Sequence, residues 1–561
     1  MTTPLAPGQG RIRWLYLSVA LLLLFIILLL PDHPQDIVPA AFLRVPLEWP
    51  LAVLALLLAP TVITRAIRWL IVLTVGMLLL LRLADLGSYL AFDRRFSPLV
   101  ELHLLGDGWN LASQAVGRLE AAIAVGIALL LFALLCLTLF RGLAEVSKLP
   151  ARPRRRLGGF ALLLLSLGGL ALATTTARDA PTPLVQADLA SDIVDRVSYM
   201  QRSIVDQRNF VGELAVDVLA DTPPTFAAFS GRDIALIFVE SYGRSFIDGE
   251  RFREPARARL ATLDGALNDA GLHVRSAWLT SPIRGGRSWL AHATFASGLK
   301  IDNQARFDRL VASPRTSLNR LFSDAGWRTT GIMPAIREDW PEGSWYGFDE
   351  ILDVHALGYA GQPFGWVTMP DQYTLSAYQS RVRRANAEPT MTEIALITSH
   401  APWTPLPTRV PWEALDDGSL FDGSHRFGGT AAEVWAEREQ VREHYAWSLD
   451  YSLEVLGEYL ARYHRDDGPD DADDNGRGKG LLAIVLGDHQ PSSIVNGWDS
   501  TADVPVHVIS DDPALLARLP DEFWTNGMLP ADDLPSQSMA SMRELLSRRF
   551  ESTPLALQAN P

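Results

Sequence analysis

One late stretch of the chain, residues 481–491, reads Leu-Leu-Ala-Ile-Val-Leu-Gly-Asp-His-Gln-Pro. Six apolar residues in a row suit a strand that is buried on both faces, and the glycine marks a sharp bend at the strand end. Asp488 and His489 follow that bend directly. The stretch therefore predicts a buried strand that delivers a carboxylate and an imidazole to the edge of a sheet.

Runs of the same form recur through the second half of the chain. Short β-rich runs alternate with stretches whose apolar residues recur every three or four positions, which predicts an α/β fold with a mainly parallel sheet covered by helices. The predicted strands are residues 234–239, 274–279, 329–333, 393–397, 481–486 and 504–509, and the predicted helices are residues 254–270, 317–325 and 430–463.

Two more of these runs end in chemically useful side chains. Glu240 directly follows the first strand, and His400 lies shortly after residues 393–397. Ligands bind beyond the carboxyl ends of strands in open α/β sheets, so we expect both side chains near Asp488 and His489. Carboxylate oxygens and imidazole nitrogens suit one divalent metal ion, and manganese, zinc and magnesium all fit such a set.

The nucleophile is predicted in the glycine-rich segment after the second strand. Residues 280–294 read Thr-Ser-Pro-Ile-Arg-Gly-Gly-Arg-Ser-Trp-Leu-Ala-His-Ala-Thr, and Ser288 lies where a helix is expected to begin. A helix start offers backbone N–H groups and a positive dipole to an anion, and Arg284 and Arg287 add positive charge. The alternative interpretation makes Ser288 only the N-cap of that helix.

The first 180 residues have a different character. Five apolar stretches, at residues 14–30, 49–64, 69–91, 121–140 and 157–177, approach the roughly 20 residues of a membrane-spanning helix. The first is predicted to be a signal-anchor and not a cleaved signal peptide, because its length exceeds that of a usual signal sequence. If all five stretches cross the membrane, the segments on the same side as the amino terminus carry ten Lys or Arg, and the segments on the opposite side carry five. Lys and Arg are enriched on the cytoplasmic side of membrane proteins, so this bias predicts a cytoplasmic amino terminus and an external carboxyl-terminal half.

Charge separates these two parts of the 561-residue chain. Residues 1–180 hold 16 Lys or Arg against 10 Asp or Glu, and the remaining residues hold 34 against 54. The acidic remainder argues against a nucleic-acid partner, because binding to phosphates needs a basic face. The single cysteine, Cys136, allows neither an intramolecular disulfide nor a thiolate metal site.

Together these motifs resemble the membrane-anchored branch of the alkaline phosphatase and sulfatase superfamily, especially lipoteichoic acid synthase and related phosphoglycerol transferases. The likeness covers the five-helix anchor and most of the remaining chain. It implies an alkaline-phosphatase-like domain that holds one divalent metal ion, with manganese favoured over zinc or magnesium. The residues that match the family's metal ligands are Glu240, Ser288, Asp488 and His489, and the resemblance implies that the Ser288 hydroxyl is the nucleophile.

The resemblance also covers residues 399–402, Ser-His-Ala-Pro, which match the family's Ser-His-x-Pro segment. It implies that His400 is a substrate ligand or proton donor. Two features depart from the family: the nucleophile is Ser where the synthases have Thr, and their Trp-x-Arg is absent at the aligned spacing before Gly347. The expected substrate contacts are Arg284, Arg287, Trp289, His400 and Trp403, with Trp340 and Trp345 as further candidates for the pocket wall.

We therefore expect an enzyme of the bacterial inner membrane. Its expected parts are a transmembrane domain (1–180), a juxtamembrane helical linker (181–229), an extracytoplasmic sulfatase-like catalytic domain (230–550) and a tail (551–561). The expected reaction transfers a phosphorus-containing head group, above all phosphoglycerol from a membrane phospholipid, to a glycan or glycolipid acceptor through a covalent Ser288 intermediate. A phosphoric or sulfuric ester hydrolase of the same fold, and a non-enzymatic membrane sensor or scaffold, are the alternatives.

Two related enzyme classes fit the sequence less well. A formylglycine sulfatase needs Cys or Ser at the start of its C/S-x-P-x-R motif, whereas this chain has Thr280 there. The phosphoethanolamine transferases that modify lipid A resemble the same layout, but disulfides hold their outer domain together. A chain with one cysteine forms no such bridges.

Overall fold

The computed structural model describes residues 7–98, 106, 108–109, 113, 117–175, 185–422, 426–464, 480–498 and 501–551. The chain divides into two compact units. The first comprises Met1–Leu90 and Arg94–Asp206, and the second comprises Ala91–Asp93 and Gln207–Pro561. The expected boundaries at residues 180 and 229 stay predictions. The expected tail lies outside the described residues except for Glu551.

The first unit is built from apolar helices. They are α1 (Pro7–Leu29), α2 (Glu48–Leu58), α3 (Thr64–Phe92), α4 (Arg118–Ser147) and α5 (Ala151–Thr175), and α6 (Asp188–Ala215) follows them in the chain. Within the described residues, three helices contain stretches long and apolar enough to cross a membrane: Ile12–Leu29, Thr64–Leu90 and Arg118–Ser147.

The other two predicted crossings form helices of different kinds. The second is α2, whose 11 residues extend about 16 Å, roughly half the thickness of a bilayer core. The last is α5, a helix of 25 residues that carries four Arg in its first two turns. An anchor of five crossings therefore stays a prediction, and three candidate spans are what the described helices support.

The second unit is built around one mixed sheet. Its strands are β1 (Asp233–Val239), β2 (His273–Thr280), β3 (Arg328–Met333), β4 (Glu350–Asp353), β5 (Thr390–Leu396), β6 (Leu481–Gly487), β7 (Asp503–Ser510), β8 (Thr525–Asn526) and β9 (Gln537–Ser538). Their order is β8-β2-β7-β6-β1-β5-β3-β4, with β9 beside β2. Strands β6, β1, β5, β3 and β4 are parallel, and β7 is antiparallel to both of its neighbours. The six predicted strands and the mainly parallel sheet are confirmed.

Strand β1 shows why the central strands have continuous apolar runs. Its odd-numbered residues from Ala235 to Val239 join one buried apolar cluster. Its even-numbered residues from Ile234 to Phe238 join a second cluster on the opposite face of the sheet. A strand covered on both faces needs no alternation of polar and apolar residues, so the run is apolar throughout.

Helices on the two faces of the sheet supply the rest of these clusters. The longer ones are α7 (Arg253–Asp269), α8 (Ser288–Ser297), α9 (Gln304–Val311), α10 (Leu318–Asp324), α11 (Asp371–Ala377), α12 (Arg438–Tyr463) and α13 (Ser541–Arg549). The single helix predicted over residues 430–463 is wrong in one respect. Thr430 caps a separate short helix, Ala431–Val434, and the extended backbone of Glu437 divides that helix from α12.

Four strands deliver their carboxyl ends to one edge of the sheet. Strands β1, β5 and β6 are parallel. Strand β2 has the same direction as β6, because each is antiparallel to β7, which lies between them. The segments that follow these four strands carry the predicted metal ligands, the nucleophile and His400, so the sheet places them along a single edge. The further candidates Trp340 and Trp345 follow β3 instead.

Candidate active site

Glu240 is held at the end of β1 by the two neighbouring strands. Its backbone N–H donates to the carbonyl of Leu396, the last residue of β5, at 3.1 Å. On the other side, a Cβ atom on Gly487 would lie only 1.8 Å from the carbonyl oxygen of Tyr242. Only glycine fits there, and the close approach of the ends of β1 and β6 brings Glu240 beside Asp488.

Asp488 and His489 complete a buried group of three side chains. Asp488 Oδ1 accepts the backbone N–H groups of Ser241 at 2.8 Å and of His489 at 2.7 Å. His489 Nδ1 lies 2.8 Å from the carbonyl oxygen of Gln490, so an Nδ1–H donates there and Nε2 is directed to the carboxylates. Nε2 lies 3.3 Å from Glu240 Oε1 and 3.6 Å from Asp488 Oδ2.

The chemistry of this group fits one divalent metal ion. Glu240, Asp488 and His489 are all buried, and one ligand atom from each lies within 4.8 Å of the other two. Two carboxylate oxygens and one imidazole nitrogen are acceptable to manganese, zinc and magnesium. Over the described ranges of the chain, no second group of this kind occurs. The residues therefore fit the predicted ion without selecting one of the three metals.

Burial and mutual charge shift the ionisation of these groups. Burial raises the pKa of Asp488, and the neighbouring Glu240 carboxylate raises it further. Burial also acts to raise the pKa of Glu240, but the imidazoles of His400 and His489 outweigh it and hold that pKa below its usual value. Burial lowers the pKa of His489, yet the two carboxylates dominate and raise it to about 9. A buried cation is therefore favoured beside the carboxylates.

A strained turn places the Ser288 hydroxyl against this group. The two glycines at 285–286 have positive φ angles of 75° and 137°, and Arg287 is left-handed with φ of 67°. Ser288 Oγ donates to Glu240 Oε2 at 2.8 Å and lies 3.2 Å from His489 Nε2. A non-glycine residue with positive φ costs conformational energy, and such strain is typical of functional turns.

The interpretation of Ser288 as an N-cap is wrong. Arg287 occupies the N-cap position of α8, and Ser288 is the first residue of the helix itself. Its hydroxyl bonds to the Glu240 carboxylate instead of capping a backbone N–H of α8. The hydroxyl therefore lies at the positive end of a helix and in contact with two of the candidate metal ligands.

Gln490 joins the two loops of the site, a role that we did not predict. Its carbonyl accepts the backbone N–H of Gly285 at 2.9 Å, and its side-chain Oε1 accepts the hydroxyl of Ser245 at 2.6 Å. The Ser281 hydroxyl donates to the carbonyl of Asp488 at 2.6 Å. The loop before Ser288 is thus bonded to the backbone that carries Asp488. The only signal in the sequence was the adjacency of Gln490 to the Asp-His pair.

His400 lies on the other side of Glu240. The Ser399 hydroxyl donates to the backbone carbonyl of Glu240 at 2.6 Å, which attaches the loop after β5 to the end of β1. His400 Nδ1 lies 2.6 Å from the carbonyl oxygen of Ala401. An Nδ1–H therefore donates to that carbonyl, and Nε2 of His400 is the nitrogen available to a substrate.

The aromatic side chain beside His400 is Trp366, which we did not predict. Its ring stacks on the imidazole of His400 with ring centroids 5.7 Å apart. Trp403 is only 2% exposed, and its Nε1–H donates to the backbone carbonyl of Ser399. This buried ring therefore stabilises the loop that carries His400. Trp340 and Trp345 pack against the apolar cluster on one face of the sheet. Substrate contact by these three rings stays a prediction.

The remaining predicted contacts surround the start of α8. Arg284 forms an ion pair with Asp93, which belongs to the same compact unit, at 2.6 Å. Arg287 is buried, and Trp289 is exposed with its Nε1–H donated to Gln304 Oε1 at 3.0 Å. Arg287 and Trp289 are the sequence neighbours of Ser288, and contact of all three residues with a substrate stays a prediction.

Asp371 stabilises the backbone between β5 and His400, a role that nothing in the sequence indicated. Its Oδ1 accepts the backbone N–H groups of Ile397 at 2.7 Å and Thr398 at 2.9 Å. Its Oδ2 accepts the hydroxyl of Ser452 at 2.6 Å. Burial raises the pKa of this carboxyl. Three hydrogen bonds to one buried carboxyl fix the backbone that leads into His400.

Comparison with known proteins bears on the predicted resemblance. No protein-family model and no curated relative matches the chain. Among solved structures, the lipoteichoic acid synthase LtaP from Listeria monocytogenes is similar at 13% identity, over 62% of this chain and 78% of that one, with a TM-score of 0.36. The Streptococcus pyogenes phosphoglycerol transferase GacH, in complex with sn-glycerol-1-phosphate, is similar at 13% identity, over 63% and 82%, with a TM-score of 0.36.

A phosphonate monoester hydrolase from Agrobacterium radiobacter is similar at 13% identity, over 57% of this chain and 73% of that one, with a TM-score of 0.33. These structures include synthases and phosphoglycerol transferases of the kind that the sequence resembles, and at 13% identity with TM-scores below 0.5 they are a likeness and not a family assignment. Similarity at this level identifies no substrate for the present chain, because the group includes both transferases and hydrolases.

Proposed function

We propose that this protein is a metal-dependent transferase of the bacterial inner membrane that moves a phosphorus-containing head group onto a glycan or glycolipid. The donor is a membrane phospholipid, and phosphoglycerol is the head group. The catalytic unit lies on the extracytoplasmic side, which the distribution of Lys and Arg around the apolar stretches supports.

The observation that carries this proposal is the position of one hydroxyl. Ser288 Oγ lies at the first residue of α8, 2.8 Å from Glu240 Oε2 and 3.2 Å from His489 Nε2. A serine is a weak nucleophile until a neighbouring group takes its proton or a cation stabilises its alkoxide. Glu240 Oε2 is in place to take the proton, and the same group of buried side chains would hold a cation beside this oxygen, which supports an enzyme over a sensor or scaffold.

Glu240, Asp488, His489 and Ser288 would hold the divalent ion. Bound there, the ion would stabilise negative charge on the reacting oxygens as a Lewis acid. The chain's own groups have separate tasks. Glu240 Oε2 accepts the proton that Ser288 Oγ already donates to it, and the backbone N–H groups at the start of α8 are directed to an incoming phosphate.

The first half of the reaction forms the bond from Ser288 Oγ to phosphorus and breaks the bond from phosphorus to the diacylglycerol oxygen. The leaving oxygen needs a proton. With the Nδ1–H of His400 engaged by the carbonyl of Ala401, an imidazolium at His400 gives this proton from Nε2 and becomes neutral. In the second half, an acceptor hydroxyl attacks phosphorus and gives its proton back to His400. The bond from phosphorus to Ser288 Oγ breaks, and Glu240 returns to that oxygen the proton that it took in the first half, so atoms and protons balance.

The test uses the full-length protein in detergent micelles with Mn²⁺ and a phosphatidylglycerol that carries a fluorescent acyl chain. Wild type is expected to release fluorescent diacylglycerol. Ser288→Ala should lose this activity by several orders of magnitude, as is typical for an activated nucleophile, and Ser288→Thr should retain part of it. The matched control is Ser380→Ala, which removes an exposed hydroxyl that bonds the Ser376 carbonyl.

Two results would contradict the proposal. If Ser288→Ala keeps its activity and only melts at a lower temperature, Ser288 is a structural residue. If wild type releases inorganic phosphate from phosphomonoesters and no diacylglycerol from the lipid, the protein is a hydrolase of the same fold.

A further inference from the structure

A group of exposed aromatic rings lies beside His400. Trp366, Phe427, Trp435 and Trp447 have exposed fractions of 41%, 41%, 42% and 46%. We name these four residues the aromatic shelf. Single apolar side chains are common on protein surfaces, but several large rings gathered around one segment mark a binding surface.

Two rings of the shelf are attached to the segment that begins at His400. Trp366 stacks on the His400 imidazole, with centroids 5.7 Å apart and planes inclined by 28°. Trp435 lies parallel to the buried ring of Trp403, with centroids 5.8 Å apart. Its Nε1–H donates to the carbonyl of Pro402 at 3.2 Å. Both indoles are therefore fixed by contacts with the residues at 400–403.

The other two rings continue the same surface. The rings of Trp447 and Phe427 contact each other with centroids 6.1 Å apart. Trp447 also lies against His444, with centroids 4.9 Å apart, and His444 Nδ1 is 3.1 Å from the carbonyl of Trp403. His444 thus links the rings of Trp447 and Phe427 to the same segment, residues 400–403, that fixes Trp366 and Trp435.

The charge around the shelf favours a particular kind of partner. Residues 401–447, which carry three of the four rings, contain four Arg and no Lys against eight Asp or Glu. Arg337 adds one positive charge over the ring of Trp366, 5.5 Å from its centroid, and the balance stays negative. An excess of carboxylates repels anionic lipids and polyanions. Indole rings accept the apolar C–H faces of sugars, and carboxylates accept their hydroxyl groups, so an uncharged glycan matches both features of this surface.

The shelf is also suited to binding by its rigidity. Tryptophan offers a large contact area with only two side-chain torsions to fix, so little conformational entropy is lost when a ligand packs on it. In the shelf, Trp366 and Trp435 are already held by stacking and Trp435 by a hydrogen bond. Preorganised rings of this kind are typical of the residues that contribute most to binding.

We propose that the aromatic shelf binds the sugar rings of an uncharged glycan and presents one of its hydroxyl groups to the active site beside His400. The inference rests on the proposed function, which it deepens by assigning the chemical class of the acceptor. A shelf of several rings has a measurable consequence. An oligosaccharide contacts more rings than a single sugar does, so it binds more tightly and has the lower KM.

The experiment compares two acceptors, methyl β-glucoside and a long β-linked gluco-oligosaccharide. Full-length protein in micelles is given fluorescent phosphatidylglycerol and Mn²⁺, and transfer to each acceptor is measured. Binding of the oligosaccharide is measured separately from tryptophan fluorescence without any donor. Wild type should have a KM for the oligosaccharide about tenfold or more below that for the glucoside.

The double variant Trp435→Ala/Trp447→Ala should lose this preference, and its oligosaccharide Kd should rise about tenfold or more. Trp435→Phe/Trp447→Phe keeps flat rings and should retain most of the preference, which separates ring contact from a folding defect. Leu420→Ala removes an exposed apolar side chain outside the shelf and should leave the preference unchanged.

Three outcomes would contradict the inference, and a fourth would contradict the proposed function on which it rests. Equal KM values for the two acceptors in wild type, or an unchanged preference in the double Ala variant, would overturn the shelf as a glycan site. If brominated lipid in vesicles quenches the shelf tryptophans and the oligosaccharide does not bind, the surface contacts membrane and the inference is wrong. Shelf-dependent binding of the oligosaccharide without any head-group transfer would contradict the proposed function alone.

Discussion

The ends of β6 and β5 lie on either side of Glu240, and they differ in almost every physical respect. After β6, Asp488 and His489 are buried, and short bonds to the backbone fix the Asp488 carboxylate and His489 Nδ1. After β5, His400 is half-buried, and its ring lies against the exposed ring of Trp366. This difference fits the roles that we propose: the end of β6 is suited to hold a cation, and the end of β5 is suited to contact the substrate.

The largest effect is expected from Asp488→Asn, which weakens the cation-holding side of this comparison. The amide keeps an oxygen for the backbone N–H groups of Ser241 and His489 but loses the negative charge. Bound divalent metal, measured by elemental analysis of purified protein, should fall well below one ion per chain. Turnover should fall by about a thousandfold or more, because metal ligands support the reacting charge directly. Full metal content in this variant would refute the assigned ligand set.

A smaller loss is expected from His400→Gln, which tests the substrate side. General acid catalysis typically contributes about 100-fold to 10,000-fold, and we expect kcat to fall by about 100-fold, at the lower end of that range. The metal content should stay at the wild-type value, since His400 is not among the buried ligand group. If His400→Gln loses its metal as Asp488→Asn does, the two strand ends do not have separate tasks.

Site residues that directly follow a strand could be predicted from the sequence, whereas contacts between residues far apart in the chain could not. Glu240, Asp488 and His489 each follow an apolar run directly, so the parallel sheet alone brings them together. The turn before Ser288 was indicated by its two glycines. Ser288 was expected near the start of the helix. The structure adds that Arg287, in a left-handed conformation, is the N-cap and that Ser288 is the first helical residue.

Other features arise from packing that no local pattern records. Asp371 bonds to residues 26 and 27 positions later and to Ser452, which is 81 positions away. Trp366 reaches His400 from the loop at residues 354–370, which is rich in glycine and proline and has no periodic pattern to mark this ring. In the first unit, α2 is apolar like its neighbours but has only 11 residues. The length and hydropathy of the apolar stretch did not reveal where that helix ends.

The smallest effect is expected from Asp371→Asn, which loosens the substrate side without touching a ligand of the metal. One of its two oxygens becomes an amide, so it can no longer serve all three donors from Ile397, Thr398 and Ser452. We expect kcat to fall about tenfold through misplacement of His400, with a stability loss of about 1–3 kcal/mol. Metal content should not change. Ser452→Ala removes one donor only, and it should lower kcat less than Asp371→Asn does.

A covalent bond at Ser288 is the claim on which the whole account depends. The most direct measurement is peptide mass spectrometry of full-length protein that has been incubated with phosphatidylglycerol and then quenched in acid. The account predicts a glycerophosphate adduct on the peptide that contains Ser288, and no adduct in Ser288→Ala. An unmodified Ser288 peptide from protein that is actively releasing diacylglycerol, or an adduct on another residue, would contradict it.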